Sequence, residues 1–156
     1  LLRISAAVVA ALTLVATALP ASASEAANRV INQARQDCRM FEEGILETTP
    51  QAIAFADLTG DAMPEEIVDA SQFSCSTAAS LFCGTGGCTI TVIVDGTATE
   101  FLAKGWKVVD WGGQPILLLA VHGSACGGTN LRPCFEALVW SEGDFRSVDP
   151  RPDNDR

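Results

Sequence analysis

Six cysteines, at positions 38, 75, 83, 88, 126 and 134, constrain this chain more than any other feature. A cysteine sulfur either ligates a metal as a thiolate or closes a disulfide, and the compartment decides between the two. The opening residues, "LLRISAAVVAALTLVATALPASASEA", set Arg3 ahead of an apolar run from Ile4 to Leu19, followed by Pro20 and the small-residue pattern Ala21-Ser22-Ala23. This is the pattern of a secretory signal peptide over residues 1–23, with cleavage expected after Ala23. The competing reading is an uncleaved anchor, because the run approaches bilayer-spanning length. Thr13, Thr17 and Pro20 interrupt it, which favours cleavage. The expected product is a periplasmic or secreted protein with no membrane attachment.

In an oxidising space the cysteines are expected to pair with one another. "CGTGGC" (83–88) and "CGGTNLRPC" (126–134) are Gly-rich segments bracketed by cysteines, so local closure favours Cys83–Cys88 and Cys126–Cys134 and leaves Cys38–Cys75. Six cysteines leave other connectivities open. A zinc site is disfavoured, because an exported chain would have to keep its thiolates reduced and the sequence has a single histidine.

Charge narrows the partners. The formal net charge is −9, and removing Arg3 with residues 1–23, which carry no acidic side chain, makes it −10. Such a chain repels phosphate backbones and anionic lipid, so nucleic acid is excluded as a partner. No cofactor is expected.

Residues 24–148 are expected to form one domain. From Ser24 to Gly44, apolar residues Ala27, Val30, Ile31, Ala34, Cys38 and Phe41 recur at helical spacing. Ser24 is the expected N-cap and Gly44 the stop. Strand-like runs follow at 52–58, 65–71, 89–103 (two runs joined at Asp95-Gly96), 106–111, 115–122, 135–140 and 145–148, with a helical turn expected over 76–82. Asp95-Gly96 suits a tight hairpin turn. The expectation is an α+β fold, an N-terminal amphipathic helix packed on one antiparallel sheet of six or seven short strands and stapled by disulfides. "ILLLAV" reads as a central strand buried on both faces. The polar end, 149–156, reads as a disordered tail.

Three candidate sites emerge. In "DLTGDAMPEE" the oxygen-bearing residues Asp57, Thr59, Asp61 and Glu65 alternate around a glycine, as calcium loops do when a sharp turn aims hard oxygens at one ion. Thr59 and Ala62 depart from that pattern, and the competing reading is a polar turn whose aspartates accept backbone N–H groups. His122, in "AVHGSACGG", is the candidate hydrolytic base, with Ser124 or a neighbouring acid as its partner; the competing reading is an imidazole hydrogen-bonded at a strand end. That chemistry requires an orienting acid, for which Asp95 and Asp110 are candidates. The third is the pair of cysteine loops, whose Gly84, Thr85, Gly86, Gly87, Gly123, Ser124, Gly127 and Gly128 are candidate binding-loop residues. Trp106, Trp111 and Trp140 lie on strand-like runs and read as core or sheet-face residues.

"FADLTGDAMPEEIVD", "FCGTGGCTITVIV", "FLAKGWKVVDW", "ILLLAVHGSACGG" and "CFEALVW" together resemble a group of small exported proteins, largely of proteobacteria. These pair a D-L-N-G-D-G-x-x-E/D turn with a C-G-[ST]-x-G-C loop. The resemblance spans residues 52–141. It implies a periplasmic location, supports the pairing of Cys83 with Cys88, and brings no catalytic residues. The function expected on all these grounds is a non-catalytic binding module for a periplasmic protein or other envelope component. The alternatives are a hydrolase centred on His122 and a calcium-stabilised structural domain.

Overall fold

The computed structural model describes residues 22–148. Most of the expected signal peptide (residues 1–21) and the expected tail (149–156) therefore lie outside the described residues. Within them one helix, α1 (Glu25–Arg39), precedes eleven strands. Three short ones were not expected: β1 (Leu46–Thr48), β4 (Phe73–Cys75) and β5 (Cys83–Gly84). The others are β2 (Ile53–Ala56), β3 (Glu65–Asp69), β6 (Gly87–Val94), β7 (Thr97–Ala103), β8 (Gly105–Trp111), β9 (Gln114–Val121), β10 (Cys134–Ser141) and β11 (Asp144–Ser147).

The expected α+β arrangement of one helix on one sheet is overturned. The described residues are mostly β, and their strands form three sheets. β1 and β4 pair alone. β2, β3, β6 and β5 run in that order with β7 on β6, and β11, β10, β9 and β8 form the third sheet. All the pairings are antiparallel.

The reason lies in β6. Successive side chains on a strand point to opposite faces, and β6 has buried residues on both. Ile90, Val92 and Val94 pack with Leu117, Leu119 and Leu138 of the third sheet. Ile93 packs with Ala26, Ala27 and Ala34 of α1. One face is covered by the third sheet and the other by the helix, so the five-stranded sheet lies between them. Trp106 links the two sheets through a polar contact, its indole N–H donating to Asp69 at 2.9 Å. Phe145 stacks edge-on against both Phe101 and Trp140. Trp111 is the exception among the tryptophans, 78% exposed at the far end of β8.

Other expectations are corrected. β9 is interior to its sheet, but only Pro115, Leu117 and Leu119 are buried, while Ile116 and Leu118 on the other face are half-buried. Residues 76–82 form turns instead of a helix. α1 ends at Arg39 with Met40 as its C-cap, well before Gly44. That glycine serves close packing, since a Cβ there would lie 2.7 Å from both the Cys38 carbonyl oxygen and the Cys75 sulfur.

Three disulfides join Cys38 to Cys75, Cys83 to Cys88 and Cys126 to Cys134. The first ties the end of α1 to β4. The second closes the β5–β6 hairpin across directly opposed residues. Among the described residues no helix is long and apolar enough to cross a membrane.

Candidate functional site

The two cysteine loops meet at one end of the fold. The Asn130 side-chain amide, in the second loop, donates to the Thr85 carbonyl in the first at 3.2 Å. Lys104, at the junction of β7 and β8, holds the second loop from beneath: its Nζ donates to the Asn130 carbonyl at 3.0 Å and also to the Asn130 side-chain oxygen. Its backbone N–H donates to the Ala120 carbonyl on β9. The strand junction, β9 and both loops are thereby coupled.

Glycine makes this approach feasible at two positions. A Cβ on Gly87, whose φ is +117°, would lie 2.1 Å from the Ala103 carbonyl oxygen. One on Gly123 would lie 1.8 Å from the Thr129 carbonyl oxygen. The other candidate loop glycines differ. Gly84 faces open space, Gly86 abuts the Leu102 side chain, Gly127 caps a short 3-10 turn in the left-handed region, and Gly128 donates to the Gly123 carbonyl at 2.9 Å.

What this end presents to solvent is unusual for an acidic chain. Leu131 is 94% exposed and Phe135 67%, and both line a depression with Lys104 and Arg132. The chain's two lysines, Lys104 and Lys107, stand near the loop end of β8. The surface is therefore apolar and basic, whereas the chain as a whole carries net negative charge.

His122 and Ser124 belong to the second loop. The His122 Nδ1 lies 2.7 Å from the Ser124 Oγ and accepts the Ser124 backbone N–H at 3.2 Å. Both contacts arise because His122 is the N-cap of the 3-10 turn Gly123–Cys126. Neither acid considered from the sequence reaches it. Asp110 accepts from the Gly113 N–H in the turn after β8, and Asp95 sits in the β6–β7 turn; both turns lie at the strand ends away from the loops.

No protein-family model matches the chain, and no curated protein or solved structure is found to be similar to it. The functional reading therefore rests on the geometry of the site.

The turn over 57–66 directs its carboxylates inward. Asp57 accepts the N–H groups of Gly60 and Ala62, Asp61 that of Met63, and Glu65 those of Leu58 and Thr59. The Thr59 hydroxyl also faces Glu65, at 3.5 Å. Their oxygens stabilise the turn itself, the arrangement of a polar strand-to-strand connection. Among the described residues no group of three or more His, Cys, Asp or Glu side chains is placed to hold a metal.

A second concavity was not anticipated. A groove of about 530 Å3 lies between α1 and strands β6 and β7. Val30 and Ala34 form its helical wall, Thr89, Thr91, Ala98 and Glu100 line it from β6 and β7, and Leu81 and Phe82 stand just ahead of Cys83. Residues far apart in sequence contribute to it, so no local motif announces it.

Proposed function

We propose that the protein is an exported, non-catalytic binding module whose joined cysteine loops meet a periplasmic protein or another envelope component. The observation that carries this reading is the Asn130–Thr85 bridge, through which two separately stapled loops become one surface. Loops already ordered before contact lose less entropy on binding. Exposed Leu131 and Phe135 beside Lys104 and Arg132 suit a partner that offers acidic groups around an apolar side chain. Disulfides persist in oxidising compartments, which together with the leader pattern of residues 1–23 supports periplasmic or secreted location.

The test is capture from an envelope extract by the native protein and by a form shortened between Gly127 and Arg132. Loss of the captured partner with the shortened loop is expected, and equal capture by both forms contradicts the reading.

A second reading, a hydrolase using His122 and Ser124, has the 2.7 Å contact in its favour. It is the weaker one, because the same imidazole nitrogen is engaged in capping the turn and, among the described residues, no carboxylate is hydrogen-bonded to the ring. Labelling of Ser124 by a fluorophosphonate, abolished in His122→Ala, would replace the first reading with this one.

A further inference from the structure

Glu66 on β3 is only 8% exposed, and its carboxylate reaches back to the start of the helix, where it accepts the backbone N–H of Ser24 at 2.6 Å. Ser24 is the N-cap of α1, its side chain accepting from the Ala27 N–H. It is also the residue that would become first in the chain if the sequence were cut after Ala21-Ser22-Ala23. The atom that meets Glu66 as an amide nitrogen would then be an ammonium. Building on the cleavage expected after Ala23, we propose that the amino group released on Ser24 forms a part-buried ion pair with Glu66 that locks α1 onto the five-stranded sheet.

The chemistry is hydrolysis by a peptidase that accepts small side chains. Water adds across the Ala23–Ser24 amide, the C–N bond breaks, Ala23 leaves with a carboxylate, and Ser24 retains the nitrogen, which is protonated at neutral pH. The surroundings suit a cation. Asp61, Glu65, Glu66 and Asp95 line the cavity beside Ser24, and among the described residues no basic side chain does. On α1, Glu25 is paired with Arg29 at 3.0 Å. A positive charge at a helix N-terminus opposes the helix dipole, so without Glu66 the new terminus would weaken the first turn of α1. With Glu66 it gains a charge-assisted hydrogen bond in place of a neutral donor.

The pH dependence follows with its sign. An α-amino group titrates at about 7.7–8.0 when unfolded, and an adjacent carboxylate raises that value in the fold. The stabilisation is therefore complete below the unfolded value and lost as pH rises through the folded one. The window is clear of tyrosine, which the chain lacks, and of free cysteine among the described residues.

The experiment exports the full chain from a bacterial host, determines the first residue by mass spectrometry, and follows thermal melting from pH 6 to pH 10. The expected product begins at Ser24, and its melting temperature falls between pH 8 and pH 10. Glu66→Gln keeps the shape and an acceptor. It is expected to lower the melting temperature at pH 7 by about 10 °C and to abolish the alkaline fall. A chain beginning elsewhere overturns the proposal. So does a chain beginning at Ser24 whose melting is flat to pH 10, a result that leaves export itself intact. The unmodified protein supplies both decisive readings even if the variant does not fold.

Discussion

Asn130 and Thr85 are 45 residues apart in sequence, yet the side-chain amide of one donates to the carbonyl of the other at 3.2 Å. Each belongs to a loop closed by its own disulfide, so the contact connects two elements already restricted in motion. Replacing Asn130 with Ala removes one neutral hydrogen bond and is expected to cost about 1 kcal/mol of stability. The larger effect should be local, with faster amide hydrogen exchange in residues 84–87 while the β6–β3 ladder stays protected.

The loop glycines should divide sharply. Gly123→Ala puts a methyl group against the Thr129 carbonyl oxygen and Gly87→Ala against that of Ala103, both backbone atoms that do not yield readily. Each is expected to cost about 3 kcal/mol in urea unfolding. Gly84→Ala meets nothing within 4 Å and should change stability by no more than about 0.5 kcal/mol.

The disulfides should rank by the loops they close. Substituting both cysteines with alanine is expected to cost about 4 kcal/mol for Cys38–Cys75, which spans 37 residues, and about 2 kcal/mol for Cys83–Cys88, which spans 5. Cys126–Cys134 should fall between them. The opposite order in guanidinium unfolding would mean that native-state contacts outweigh chain entropy.

Glu65 holds the 57–66 turn through the N–H groups of Leu58 and Thr59. Glu65→Gln weakens two charge-assisted bonds beside a buried leucine and is expected to cost about 2 kcal/mol. Because Asp57, Asp61 and Glu65 are occupied by their own turn, millimolar Ca2+ should leave the melting temperature of the native protein unchanged. A rise with Ca2+ that is absent in Asp57→Ala would instead assign the turn to calcium.

Local signals in the sequence were legible wherever one residue type forces one geometry. Ser24 caps α1, Asp95 and Gly96 turn the β6–β7 hairpin with positive φ at both, and the cysteines join in the pairs that local closure favours. The layering was not legible. Ile90, Val92 and Val94 face one way and Ile93 the other, but a continuous apolar run does not say whether its second face meets a helix or another sheet. "ILLLAV" is ambiguous for the same reason: Leu117 and Leu119 are buried, whereas Ile116 and Leu118 on the opposite face are only half-buried. β1, β4 and β5 were missed because two or three residues show no period. At the site, the residues of both loops could be named from the sequence, but their meeting depends on Asn130 and Lys104, which no motif marks.

The central claim is that a partner meets the loop end of the fold, and the two ends of β8 provide their own control. Leu131 stands at the loop end and Trp111 at the other, roughly 20 Å away along the strand, and both are highly exposed. A photo-crosslinking amino acid placed at each position in turn, in the protein exported to the cell envelope, reads the two ends directly. The account predicts a discrete adduct from position 131 and none from position 111. No adduct from 131, or the same adducts from both positions, would contradict it.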